Sequence, residues 1–177
     1  MLHEDYLLSK DAEKNRYLKH NNDVFDLKYQ KFVQPILDFI LNNHTCFEKG
    51  LDFGAGTGPV ISKLLKDKDY ITNLYDPFFH DNKDILNESY DYIVCCEVIE
   101  HFYNPYNEFL LLKRLLTTRG KIIIMTDIYS ENIDFKNWYY KNDETHTFFY
   151  SETTLHWIKQ EFTFNDLKID KRLIVFN

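Results

Sequence analysis

Leu51-Asp52-Phe53-Gly54-Ala55-Gly56-Thr57-Gly58-Pro59 decides how this chain of 177 residues folds. A short apolar run, residues 50–53, leads into it, and residues 59–66 follow with apolar side chains at helical spacing. The unit that results is strand, tight loop, helix. Four of the five glycines lie at positions 50, 54, 56 and 58. Glycine lets a backbone take left-handed angles and come close to a ligand, and a helix that follows aims its unpaired N–H groups at that ligand. Proline suits the first helical position, so Pro59 marks where the loop ends.

Outward from this unit, short β-branched runs alternate with helical patterns. Toward the N-terminus, Val24, Phe25, Leu27, Phe32, Val33, Ile36, Leu37, Ile40 and Leu41 predict an amphipathic helix bent near Pro35. The first twenty residues, mixed acidic and basic, predict a short helix or a mobile arm. Toward the C-terminus, residues 71–75 predict a strand ending at Asp76-Pro77, and residues 90–96 another ending at Glu97. Asn104-Pro105 caps a helix through Leu116 that Gly120 stops, and residues 121–126 form a further strand. After a loop at 128–150, Ser151 caps a helix to Glu161. Strands at 164–169 and 173–176, split by Asp170-Lys171-Arg172, predict a hairpin that ends the sheet with an antiparallel strand. The expected fold is α/β: a Rossmann-like, doubly wound, mostly parallel sheet with helices on both faces and ligands at the carboxyl ends of its strands. The length predicts one domain over 1–177, with an N-terminal helical segment at 1–47 covering the site and a core at 48–177.

Composition narrows the partners. A formal charge of -7 argues against a nucleic-acid binder, which gathers Lys and Arg on one face, and favours a small-molecule substrate. No apolar run approaches the roughly 20 residues that span a bilayer, and Met1-Leu2-His3-Glu4-Asp5 does not open a secretory signal, so a cytoplasmic protein is expected. Cys46, Cys95 and Cys96 make no disulfide framework, and the adjacent pair lacks the gap that zinc ligands need. No metal site is expected.

A dinucleotide fingerprint, G-x-G-x-x-G, would place its third glycine at 59, where this chain has Pro. The spacing is instead G-x-G-x-G behind an acidic residue. In this the chain resembles the class I S-adenosylmethionine-dependent methyltransferases of small-molecule type, types 11 and 23. The resemblance implies that Asp52, Gly54, Ala55, Gly56 and Gly58 lie beside the methionine part of S-adenosylmethionine. Asp76, closing the second strand, stands where an acidic side chain accepts both ribose hydroxyls. The run from Tyr90 to Pro105 looks like the fourth-strand motif of that family, which puts Glu97 near the cofactor and Glu100 and His101 at the rim; Asn104-Pro105-Tyr106 is read as a helix cap. Asp143, Thr145-His146, Phe148-Phe149 and Ser151, Thr154, Leu155 match a related subfamily and imply that His146 faces the substrate. If the acceptor is a hydroxyl, His146 is the first candidate to take its proton and His101 the second. Between Asp76 and Asp91 only fourteen residues replace a helix and strand that help bind adenine in the family, and Asp84-Ile85 is the acidic-apolar pair placed to recognise the exocyclic amine. Two rival readings are a nicotinamide-dependent oxidoreductase, disfavoured by Pro59 and the antiparallel tail, and a catalytically idle cofactor-binding module of a larger complex.

Overall fold

The computed structural model describes residues 2–19 and 23–177. Its elements are α1 (Lys10–Tyr17), α2 (Leu27–Asn43), β1 (Lys49–Phe53), α3 (Val60–Lys66), β2 (Ile71–Tyr75), β3 (Tyr90–Cys96), α4 (Pro105–Leu115), β4 (Leu116–Met125), α5 (Glu152–Glu161), β5 (Leu167–Asp170) and β6 (Leu173–Phe176). The strands form one sheet in the order β2-β1-β3-β4-β6-β5. Pairing is parallel from β2 through β4, and β6 runs antiparallel to both β4 and β5.

The alternation of side chains along each strand builds two cores. Leu51, Phe53, Ile93, Cys95, Ile122 and Ile124 face one way and pack with Phe109, Leu112 and Leu115 of α4 and Leu155 and Ile158 of α5. Tyr92, Val94, Ile123 and Met125 face the other way, against Val33, Ile36, Leu37 and Ile40 of α2 and Val60, Ile61 and Leu65 of α3. Helices therefore cover both faces, as the continuous apolar strands require. Each fully buried Leu or Ile contributes roughly 1.5–3 kcal/mol relative to exposure, which is why the sheet can carry a loop-rich upper rim.

Several local expectations hold. Asn104 accepts the Asn107 N–H at 3.1 Å and Pro105 opens α4; Ser151 accepts the Thr154 N–H at 3.2 Å and caps α5. Others need correction. Gly120 does not stop α4, which ends at Leu115; it lies inside β4, where a side chain would come within 2.8 Å of the Tyr90 carbonyl oxygen. The β3–β4 register shifts between Tyr90 and Tyr92, so Gly120 marks a bulge and a close backbone approach. Phe164 does not begin β5. With Thr163 left-handed (φ 52°), the Phe164 N–H donates to the Lys159 carbonyl at 2.9 Å and closes the end of α5, leaving Phe164 in the core. The C-terminal hairpin does end the sheet as expected, with β6 antiparallel beside β4 and β5 at the edge. The helix α2 runs through Pro35. The N-terminal helix expected within the first twenty residues is α1, with Met1 and His20 outside the described residues. Among the described residues no helix is long and apolar enough to cross a membrane.

Candidate active site

From β1 the chain crosses to β2 on one side, and β3 then pairs on the other side of β1. Neighbouring strands whose chains depart in opposite directions leave a crevice at their carboxyl ends. A cleft of about 1030 Å³ opens there, and its walls include Asp52, Gly54, Ala55, Gly56, Gly58, Asp76, Glu97, His101 and His146. Nine of the eleven residues singled out from the sequence thus share one cavity.

The glycine loop is shaped by backbone angles that other residues resist. Gly54 and Gly56 have φ of 80° and 61°, and a Cβ on Gly54 would stand 2.5 Å from Val98 Cγ2. The Gly54 and Ala55 N–H groups both donate to the Tyr75 carbonyl, at 2.8 and 3.1 Å, which binds the loop to the end of β2. Asp52 sits beneath the loop, only 4% exposed, and accepts the Ser62 hydroxyl at 2.8 Å. Burial pushes its carboxyl up to about 6, against the opposing hydrogen bonds of Ser62. Asp52 therefore ties β1 to α3 as well as bordering the cleft.

Asp76 is held by backbone on both oxygens. Oδ1 accepts the Phe78 and Phe79 N–H groups at 2.8 and 3.1 Å, and Oδ2 accepts the Gly56 N–H at 3.0 Å. A carboxylate offers about four lone-pair positions. With three positions taken, a grip on two ribose hydroxyls would need one of these backbone N–H groups to give way. Asp84 and Ile85 are placed elsewhere: Asp84 is exposed, and Ile85 is buried in the core with its carbonyl accepting the Tyr90 hydroxyl at 2.7 Å. Neither lines the cleft, whose wall beyond Asp76 is made by Pro77, Phe78 and Phe79. The short segment after Asp76 spends its one apolar residue of the pair on closing the core.

Glu97, at the carboxyl end of β3, has a left-handed backbone (φ 52°) of the kind that strained functional positions show. Arg172 in the β5–β6 turn donates to both of its oxygens at 2.7 Å. One turn on, Glu100 is fully buried and accepts the Thr126 hydroxyl at 3.1 Å and the Tyr140 hydroxyl. Burial pushes both glutamates up from the usual carboxylate range. The Glu100 charge adds to the rise at Glu97, and the bidentate Arg172 opposes it.

The two candidate histidines come from distant parts of the chain. The Glu100 carbonyl accepts the Thr147 and Phe148 N–H groups at 2.8 and 3.1 Å, and the Thr147 hydroxyl donates to the Phe102 carbonyl at 2.9 Å. This lacing brings the His101 and His146 rings to 4.8 Å between centroids. Nδ1 of His101 meets the Thr145 carbonyl at 3.0 Å, and Nδ1 of His146 meets the Tyr140 carbonyl at 2.7 Å. A carbonyl only accepts, so Nδ1 is a donor in each ring and any base or ligand chemistry falls to Nε2. One ligand atom from each of Glu100, His101 and His146 lies within 4.8 Å of the others.

Sequence reasoning expected an N-terminal helical segment near the site but singled out none of its residues. Glu13, Arg16 and Tyr17 of α1 line the cleft. Arg16 pairs with Asp143 at 2.6 Å, while Glu13 accepts the Tyr17 and Tyr103 hydroxyls at 2.8 and 3.0 Å. Burial works against the Asp143 charge, but hydrogen bonds from Thr145, with His146 and Arg16 alongside, hold its carboxyl below the usual range. The signal available was the charge pattern of α1, too polar to be a core helix.

Comparison with known proteins follows the same lines. Among curated proteins none matches the sequence. In shape the chain is similar to a SAM-dependent methyltransferase from Archaeoglobus fulgidus (TM-score 0.59, 20% identity, 78% of this chain and 71% of that one). It is also similar to an O-methyltransferase family protein from Burkholderia thailandensis (TM-score 0.62, 11% identity, 93% of this chain and 61% of that one). A third is CalO1, a methyltransferase in calicheamicin biosynthesis in its SAH-bound form (TM-score 0.55, 14% identity, 91% of this chain and 59% of that one). The chain therefore spans less than two thirds of the length of the latter two. A sequence profile described as a methyltransferase domain matches residues 17–169, nearly the whole of the fold above, and the chain belongs to that methyltransferase family.

Proposed function

We propose that the chain transfers a methyl group from S-adenosylmethionine to a small-molecule acceptor. The observation that carries this reading is the loop at 54–58, where Gly54 and Gly56 take positive φ and Gly54 packs against Val98, at the mouth of a cleft large enough for a nucleoside cofactor. Absence of Cβ atoms there lets a ligand lie directly on backbone. Gly54, Ala55, Gly56 and Gly58 would hold the methionine part, with Asp52 beneath them, and Asp76 and Glu97 would border the ribose and sulfonium ends. When bound, the cofactor supplies a sulfonium methyl for in-line displacement, a reaction that needs alignment rather than a covalent residue. The chain's task is then to fix the acceptor along that line and keep water out. His146 and His101, which line the same cleft, would stand at its acceptor end. The segment at 1–47 would cover the site, since α1 and Tyr29 already wall it.

Turnover on a panel of hydroxyl, amine and carboxylate metabolites, read as S-adenosylhomocysteine release, tests the proposal. Release above background with at least one acceptor, lost in His146→Ala and in Gly56→Arg, is expected. Tight cofactor binding with no turnover on any acceptor would favour the idle module instead.

A further inference from the structure

We propose that Glu100, His101 and His146 form a divalent-cation site at the acceptor end of the cleft. Three observations converge on it. The ligand atoms of the three residues already lie within 4.8 Å of one another, and donors around a first-row cation at about 2.1 Å stand roughly 3–3.5 Å apart, so small side-chain rotations close the site. Both imidazoles are oriented from behind: the Thr145 and Tyr140 carbonyls accept from Nδ1, the arrangement that turns a histidine's Nε2 into a metal ligand. Glu100 is a fully buried carboxyl with no Lys, Arg or His ion pair among the described residues, and Arg172, whose charge reaches it, pairs with Glu97 instead. A buried carboxylate without a cation is costly, and a divalent ion would offset that cost where hydroxyls alone do not.

Two nitrogens and one oxygen suit an imidazole-tolerant ion such as Mn²⁺, Co²⁺ or Zn²⁺ better than Mg²⁺, and three protein ligands leave coordination positions open. Thr126 and Tyr140, donating to Glu100, act as positioning residues for its carboxylate. The open positions face a cleft shared with the glycine loop, so the group that fills one of them is an acceptor hydroxyl. This last step rests on the methyl-transfer reading above. The ion makes the hydroxyl more acidic, its proton passes to solvent, the oxygen forms a bond to the methyl carbon, and the breaking carbon–sulfur bond leaves its electron pair on sulfur. The histidines are then ligands and not the base.

The experiment is titration of chelator-treated full chain with Co²⁺, followed by visible spectroscopy and calorimetry, alongside a separate titration with S-adenosylhomocysteine. One Co²⁺ per chain is expected, with a ligand-field band indicating nitrogen ligation. Glu100→Gln, His101→Gln and His146→Gln should each weaken it about tenfold or more. His146→Gln, at a half-buried position, decides the matter if the Glu100 variant does not fold by circular dichroism. No stoichiometric Co²⁺ binding, or binding that survives the histidine substitutions, overturns the site. Co²⁺ binding without S-adenosylhomocysteine binding would leave the site standing and refute the methyl-donor reading; the reverse result would refute the site alone.

Discussion

Asp52→Asn separates the structural role of the first acidic residue from its place at the cleft. Asp52 is 4% exposed and its carboxyl sits at about 6 in the fold, against 3.8 for an unburied aspartate. The folded state thus binds this proton more tightly than the unfolded chain does, so the group supports stability below pH 4 and that support is lost as pH rises through about 6. The difference corresponds to about 3 kcal/mol. Asparagine keeps the size and can still accept from Ser62, but it does not ionise. Any constant offset from its amide is the same at every pH. The variant's stability relative to wild type should therefore climb by about 2.4 kcal/mol between pH 4 and pH 7.5, roughly 5–10 °C in melting temperature for a chain of this length. Paired thermal melts across that range read it, and other titrating groups cancel in the difference. A flat difference, or one that falls with pH, would refute the claim that burial outweighs the Ser62 hydrogen bond and raises the Asp52 carboxyl.

Gly54→Ala places a Cβ at φ 80° and 2.5 Å from Val98 Cγ2, so it should cost about 2 kcal/mol in denaturant melts and weaken S-adenosylhomocysteine binding by a larger factor than a surface Gly→Ala would. Arg172→Met leaves Glu97 without its bidentate partner. With both side chains about a quarter exposed, a loss of about 2 kcal/mol is expected by urea titration, smaller than for a fully buried pair. Arg16→Ala removes the tie from α1 to Asp143; melting should move by no more than about 1 kcal/mol while limited proteolysis within residues 10–19 accelerates.

What was legible in the sequence was local. The β1-loop-α3 unit could be read because glycine spacing, Pro59 and a change of hydrophobic period all mark the same few residues. The caps at Asn104 and Ser151 were readable for the same reason. Gly120 was misread because a glycine after an apolar helix signals a stop as readily as a bulge, and only the Tyr90 carbonyl across the sheet distinguishes them. Phe164 was misread because its hydrophobicity serves the end of α5 rather than a strand face. Asp84-Ile85 was misplaced because an acidic-apolar pair says nothing about which of the two the core will claim. The Glu100, His101 and His146 cluster was invisible: His101 meets Thr145 at a separation of 44 residues, through backbone hydrogen bonds that no side-chain pattern announces. Docking of α1 depends on Arg16 meeting Asp143 at a separation of 127.

Calorimetric titration of the full chain with S-adenosylhomocysteine, with NAD as the parallel ligand, tests the central claim most directly. One molecule of S-adenosylhomocysteine per chain, with binding weakened by Gly54→Ala and no heat from NAD, is the predicted result. No binding of S-adenosylhomocysteine or S-adenosylmethionine at millimolar concentration, or saturable binding of NAD in their place, would contradict it.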